Sequence, residues 1–398
     1  MVATLNLSGS HDETFPLLTL SPVDDARHAW SALLLAGGVP AEPGYLPAMV
    51  RLFRQFGLGE ALAALPCILP LADPESLDDP LAAQLPAEAI VLLIPLAHAL
   101  DPAARAALSR LRGRGFRLMA AGLPAAEQRL PAEIEAVAGD GSVPPPAQLP
   151  GPHLATGVFD VTQFAAALRS GYAWFAGDYP LHPAAGKTPH GGSSRALLLR
   201  LLAMVTGDAP SRDIEALLKQ DPSLSYHLLK LVNSVSFALT TPITSFGYAI
   251  TLLGRRQLQR WLQLLIYAQQ KNSGGASALL ARAAHRASLM EALCQKIGGS
   301  KEDQEHAFMA GMFSLLDALF GTPLEQIIAP LNLSADIEDA LLAHGGWLGG
   351  LLTIVEQSAR PPEPDFAAQL TQVLLTPAAY AQAQVEACRW AIQVSRES

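Results

Sequence analysis

Cysteine is scarce in this chain: Cys67, Cys294 and Cys388 are the only three, far apart and without metal-ligand spacing. That excludes a disulfide framework and a cysteine-held metal, and predicts free thiols in a reducing compartment, Cys67 and Cys294 within apolar patterns. Long apolar runs are missing too. The most hydrophobic windows, Ala89–Leu100 and Leu197–Val205, are too short to span a bilayer. No basic stretch followed by an apolar run opens the chain, so a secretory signal is not expected and a soluble, cytoplasmic protein is. Positive charge is also short. The formal net charge is −9, with 18 acidic and 11 basic residues up to His190 and 18 and 16 beyond it. Neither half attracts nucleic acid by charge, and no extended basic field with aromatic platforms compensates. Gly44, Gly57 and Gly59 do not make a phosphate-loop spacing.

What is present is apolar and long: 398 residues, half of them hydrophobic, enough for two cores. Up to residue 190, strand-like and helix-like pieces alternate. Phe15–Leu20 fits a strand, and Arg27–Leu35 fits a strand and a short helix equally well. Pro47–Phe56 carries Met49, Leu52, Phe53 and Phe56 at helical spacing, and Ile68–Leu71 is strand-like. Ile90–Ile94 and Phe116–Ala120 are apolar runs of strand length. They flank a helix opened by Asp101 and Pro102, which makes a parallel crossover unit. Val158–Val161, Thr162–Arg169 and Tyr172–Phe175 predict strand, helix and strand. The Gly/Pro-rich stretches Val137–Pro152 and Pro180–Ser194 read as a loop and as the domain junction.

Beyond the junction every pattern is helical. Asp221 and Pro222 open a helix with Leu224, Leu228 and Leu231 on one face, which Asn233 can end. Ser245 caps another up to Gly254, and the next carries Leu258, Trp261, Leu262 and Leu265. Helices are also predicted over 276–297, 302–319, 323–328, 334–343, 347–357, 366–375 and 378–392. Arg255, Arg256 and Arg260 lie at the start of one of them, Arg256 and Arg260 on one face. Beside the loop Phe237–Thr241, they are the candidate partner-binding residues, because a guanidinium fork matches carboxylate or phosphate.

The segments Gln220–Ser225, Leu228–Ser234, Pro242–Ser245 and Ala249–Gly254 together resemble the HDOD family over about residues 195–330. That helical module of bacterial signalling proteins is related to the HD phosphohydrolases. In the first half, Pro22–Asp24, Ile90–Pro95, Arg114–Leu118 and Gly171–Tyr179 resemble an EAL domain, whose active forms hydrolyse cyclic di-GMP. The resemblance implies an α/β, incomplete TIM-barrel-like domain over 1–190. It is followed by an all-α HDOD domain over 191–398, with a helical extension from about 360.

The same resemblance exposes departures. Ser31–Leu34 lacks the glutamate of the EAL signature, Leu93 stands where a metal-binding glutamate belongs, Ala121 and Gly122 where adjacent aspartates belong, and Ala176 where a glutamine does. Two-metal hydrolysis needs convergent carboxylates. In the second half, none of His227, His285, His306 and His344 precedes an aspartate, and Phe313–Asp317 occupies the His-Asp region. His285 and Asp317 read as hydrogen-bonded helix residues near the core. No catalytic residue, metal or cofactor is therefore expected. The leading expectation is a degenerate, non-catalytic signalling adaptor acting through a protein partner, without nucleic acid or membrane insertion. The alternatives are a metal-independent cyclic di-GMP receptor, then a cyclic-dinucleotide phosphodiesterase or an HD-type phosphohydrolase.

Overall fold

The computed structural model describes residues 15–182, 209–218, 275–331, 333–358 and 362–397 continuously, with residue 360 and isolated positions between 197 and 267. The helices predicted between 220 and 254, with Arg255, Arg256, Trp261 and Leu262, lie outside the described residues.

The first half is a closed eight-stranded barrel: β1 (Leu18–Asp24), β2 (Trp30–Gly37), β3 (Cys67–Pro70), β4 (Ile90–Pro95), β5 (Arg117–Ala121), β6 (Ala136–Gly139), β7 (Leu154–Ala155) and β8 (Trp174–Ala176). The barrel-like α/β domain expected from the sequence is present, and its sheet closes. β1 runs antiparallel to both neighbours, and every other pair is parallel. Alternation by two fills the interior: Val23, Ala32, Ile68, Val91, Met119, Ala136, Ala138, Leu154, Trp174 and Ala176 form one inner cluster. The residues between them, such as Leu33, Leu35, Leu69, Leu92, Leu118 and Val137, face the surrounding helices.

Local chemistry sets those helices. α1 (Tyr45–Arg54) buries Met49, Leu52 and Phe53. α2 (Arg105–Gly113) follows a turn in which the Asp101 carboxylate accepts from the Ala103 amide at 2.9 Å. α3 (Val161–Arg169) is capped by Asp160, which accepts from the amides of Thr162 and Gln163, both at 2.8 Å. That cap replaces the strand expected at Val158–Val161. β6 occupies part of the expected loop at Val137–Pro152.

In the second half, α4 (Gly275–Lys296) and α5 (Lys301–Phe313) cross closely, α5 opening with a reciprocal capping box between Ser300 and Asp303. α6 (Leu316–Phe320) is separate from α5, so the single helix expected over 302–319 breaks at Ser314 and Leu315. α7 (Gly346–Gln357) and α8 (Pro377–Glu397) complete the helices used below, beside shorter ones at Ser211–Leu218, Leu324–Ile328, Ala335–Ala343 and Phe366–Gln372. At the α4/α5 crossing, a Cβ on Gly311 would stand 2.7 Å from the Arg286 carbonyl oxygen and the Ala287 Cα, both backbone. G311A is therefore expected to destabilise by about 1–3 kcal/mol through overpacking. An unchanged denaturant midpoint would show that the helices separate at no cost.

Both halves share one hydrophobic cluster, running from Phe15 and Leu18 through Met49 and Leu118 to Leu289, Tyr380 and Cys388. Polar contacts fix the junction. β8 pairs with β1 only at Val23 and Asp24, so the start of β1 has a free edge. Gln384 of α8, fully buried, fills it: its carboxamide accepts from the Leu20 amide and donates to the Leu18 carbonyl, both at 2.8 Å. A side chain thus does what a neighbouring strand would do.

Candidate functional site

Ligand sites in parallel barrels form at the carboxyl ends of the strands, so that end comes first. Leu34 and Leu93 pack against the barrel's inner cluster there, and Ala176 belongs to it. Ala121, two residues after the inward Met119, falls on the same face. Gly122 follows with φ +118°. Among the described residues no group of three or more His, Cys, Asp or Glu side chains could hold a metal ion. The residues at this mouth therefore do not fit a pair of divalent cations.

Polar chemistry gathers instead where the end of β8 meets the second half. Gly177 sits at φ +152°, and a Cβ there would overlap the Val158 carbonyl oxygen, so the turn needs glycine. Its own carbonyl accepts from Arg282 of α4 at 3.0 Å, and the same guanidinium donates to Asp24 of β1 at 3.0 Å. Both partners of this ion pair are almost fully buried. Burial pushes the Asp24 carboxyl up, with Arg282 opposing. Tyr179, next to it, is raised by burial and then by Asp24. His285 stands between Arg282 and Arg286 in sequence, edge-on to Trp30 with ring centroids 5.9 Å apart. Burial, then the two guanidiniums, push its imidazole down to about 4. Its Nε2 has no partner, which corrects the expectation of a hydrogen-bonded His285. Asp317 is exposed, its carboxylate accepting from the Ala318 amide at 2.8 Å.

One turn along α4, Arg286 opens into a cleft of about 350 Å³. Asp178 and His182 line it from the barrel side; Glu356, Gln357, Arg360 and Glu363 line it from the helical side. Arg360 donates to Asp178 at 2.6 Å. Arg286 donates to Ser314 at 3.1 Å and more weakly to Glu356 at 3.4 Å, and burial pulls its guanidinium down. Two acceptors in the cleft wall, Asp178 Oδ1 and Gln357 Oε1, are buried without a partner. The His182 ring packs on Phe159, centroids 4.0 Å apart.

Of the arginines expected to bind a partner, Arg260 is committed within the fold. It pairs with Glu291 of α4, and its guanidinium lies 4.2 Å over the Phe308 ring centroid. Arg255 and Arg256 lie outside the described residues. The cleft residues were missed because 178, 286 and 356–360 are remote in sequence. A signal did exist. Arg282, His285 and Arg286 interrupt an apolar stretch in which Leu279, Leu280, Ala283, Ala284 and Ala287 are buried, and charges so placed call for partners.

The fold is an eight-stranded barrel followed by a helical region, and the family model described as HDOD domain matches residues 195–321. A curated relative, Cyclic di-GMP phosphodiesterase CdgJ of Vibrio cholerae serotype O1, is 32% identical over 197 residues, covering 49% of this chain and 45% of that protein. Uncharacterized protein YuxH of Bacillus subtilis strain 168 is 33% identical over 141 residues, covering 35% and 34%. The chain thus spans less than half the length of these relatives. Similar solved structures include the EAL domain of Mycobacterium smegmatis DcpA, with TM-score 0.32, 15% identity, and coverage of 40% of this chain and 89% of that one. The EAL-like domain protein YdiV has TM-score 0.31, 17% identity, and coverage of 41% and 90%. The relative from Vibrio cholerae carries an enzyme's name, and this overturns the expectation that the chain is not an enzyme.

Proposed function

We propose that this chain is a signalling protein that engages cyclic di-GMP, with a barrel domain over 1–190 and an HDOD-containing domain over 191–398 acting as one unit. The observation that carries the reading is the cleft at the carboxyl end of β8, built jointly by Asp178 and His182 of the barrel and by Arg286 and Arg360 of the helices. Ligands of parallel barrels bind at that end. Two guanidiniums there supply the donors that a phosphorylated purine needs. The name of the Vibrio cholerae relative points to the same dinucleotide. The shared hydrophobic core supports joint action, because a ligand held by both sides bears on the packing between them.

The test titrates the full chain calorimetrically with cyclic di-GMP against cyclic di-AMP, with a parallel assay for linear product in Mg²⁺ or Mn²⁺. Saturable binding of cyclic di-GMP, tighter than that of cyclic di-AMP, is expected. Absence of both binding and turnover would remove the reading.

A further inference from the structure

We infer that the junction between the barrel and the helical half is a latch worked by a proton. His285 is the group that takes it up, and once charged it drives α4 and α8 away from β1 and from the turn after β8. The latch goes beyond the cyclic di-GMP reading and stands without it.

Four residues close a ring at the junction. Asp24 and Trp30 are register partners on β1 and β2. Trp30 meets the His285 ring edge-on, His285 lies one turn along α4 from Arg282, and Arg282 returns to Asp24 through their ion pair. Each of the four keeps one buried polar atom without a partner: Asp24 Oδ1, Trp30 Nε1, Arg282 Nε and His285 Nε2. Apolar packing thus holds the seam shut while these atoms go unmet, and opening it lets water satisfy all four. One added charge then weighs heavily.

His285 is placed to supply that charge. Buried Arg282 and Arg286 flank it on α4. An imidazolium carries a hydrogen on both ring nitrogens. In the closed seam it would be a third buried cation, with an N–H at Nε2 that meets no acceptor. The nearby carboxylates are already set against guanidiniums: Asp24 on Arg282, Glu356 of α7 on Arg286, and Asp178 on Arg360. The other ionisable groups around the seam are Asp25, His28 and Tyr179, the last two in contact at 3.0 Å, and Tyr267, whose hydroxyl donates to the Met312 carbonyl. α8 contributes Ile392 and Ser395 to the small cleft that Trp30 and Ala281 line. On acidification Asp24, raised by burial, opposes opening, and His28, lowered by burial, assists it.

The junction carries its own reporter. The Leu20 amide of β1 donates to Gln384 of α8, so its exchange with solvent requires α8 to leave. Val91–Ile94 of β4, paired on both sides, report opening of the barrel itself. The experiment follows hydrogen exchange of the full chain by NMR near pH 7.5 and near pH 5, over a range of low denaturant, in the native protein and in H285F. His285 at about 4 in the closed seam, against 6.5 when open, multiplies the opening constant roughly 25-fold between those conditions. Protection of Leu20 is expected to fall by about that factor in the native protein, with most of the fall missing in H285F. Leu20 is also expected to exchange with a smaller denaturant slope than β4, the mark of an opening short of global unfolding. Equal slopes and equal protection at Leu20 and β4 would overturn the latch, because the halves then part only as the whole chain unfolds. A fall in H285F as large as in the native protein, or none in either, would overturn His285 as its trigger. Should H285F not fold, NMR titration of the His285 ring in the native chain decides: a midpoint near 6.5 overturns the trigger and one near 4 upholds it.

Discussion

Replacing Arg282 with alanine is expected to lower stability by about 3–5 kcal/mol, the range for stripping one partner from a buried ion pair. The side chain of Asp24 is 0% exposed and that of Arg282 6%, so water does not take over when the guanidinium goes. The Gly177 carbonyl loses its donor in the same step. Removing both charges, with D24L and R282L together, is expected to recover most of the loss, because a well-packed apolar pair often equals a buried ionic one. Chemical denaturation of the full chain reads this directly, as a shifted midpoint at constant slope. A loss below about 1 kcal/mol in R282A would be typical of a solvated surface pair and would contradict this packing.

The second large effect depends on pH. His285 titrates near 4 in the folded protein, against an ordinary value of 6.5. Between those values the unfolded chain binds a proton that the folded chain refuses. Stability from this group is therefore complete above about pH 6.5 and is lost as pH falls toward 4, by about 3 kcal/mol in all. Asp24, raised by burial, contributes with the opposite sign on acidification. His28 and His153, lowered by burial, add to the His285 effect. The clean readout is thus the difference between the native protein and H285F, which keeps a ring against Trp30 and cannot be protonated. Equal pH slopes for the two proteins between about pH 7 and pH 4.5 would refute a buried neutral imidazole at this position.

Legibility in the sequence followed the range of the physics involved. β4, α2 and β5 were readable because a continuous apolar run, an Asp-Pro opening and a second run are local signals. β6 and β7 were not, since Ala136–Gly139 and Leu154–Ala155 are short, and barrel closure rather than propensity makes them strands. The break at Ser314 and Leu315 carries no glycine or proline to announce it. At the barrel mouth Leu93 and Ala176, singled out in the sequence, do lie in or against the inner cluster, yet nothing local showed that acceptors and guanidiniums would converge beside β8. That cleft exists only when two halves of the chain meet.

The carboxamide of Gln384 on the edge of β1 also bears on the order in which the molecule is made. Leu20 and Gln384 are 364 residues apart. At about 5–20 residues per second, the first strand waits roughly 20–70 s after leaving the ribosome for the group that completes its edge. During that interval its unpaired amides and carbonyls can pair with any other exposed strand. Synthesis of α8 is therefore the step that ends the exposure of β1, and a chain that stalls before residue 384 leaves the ribosome with that edge still open to aggregation.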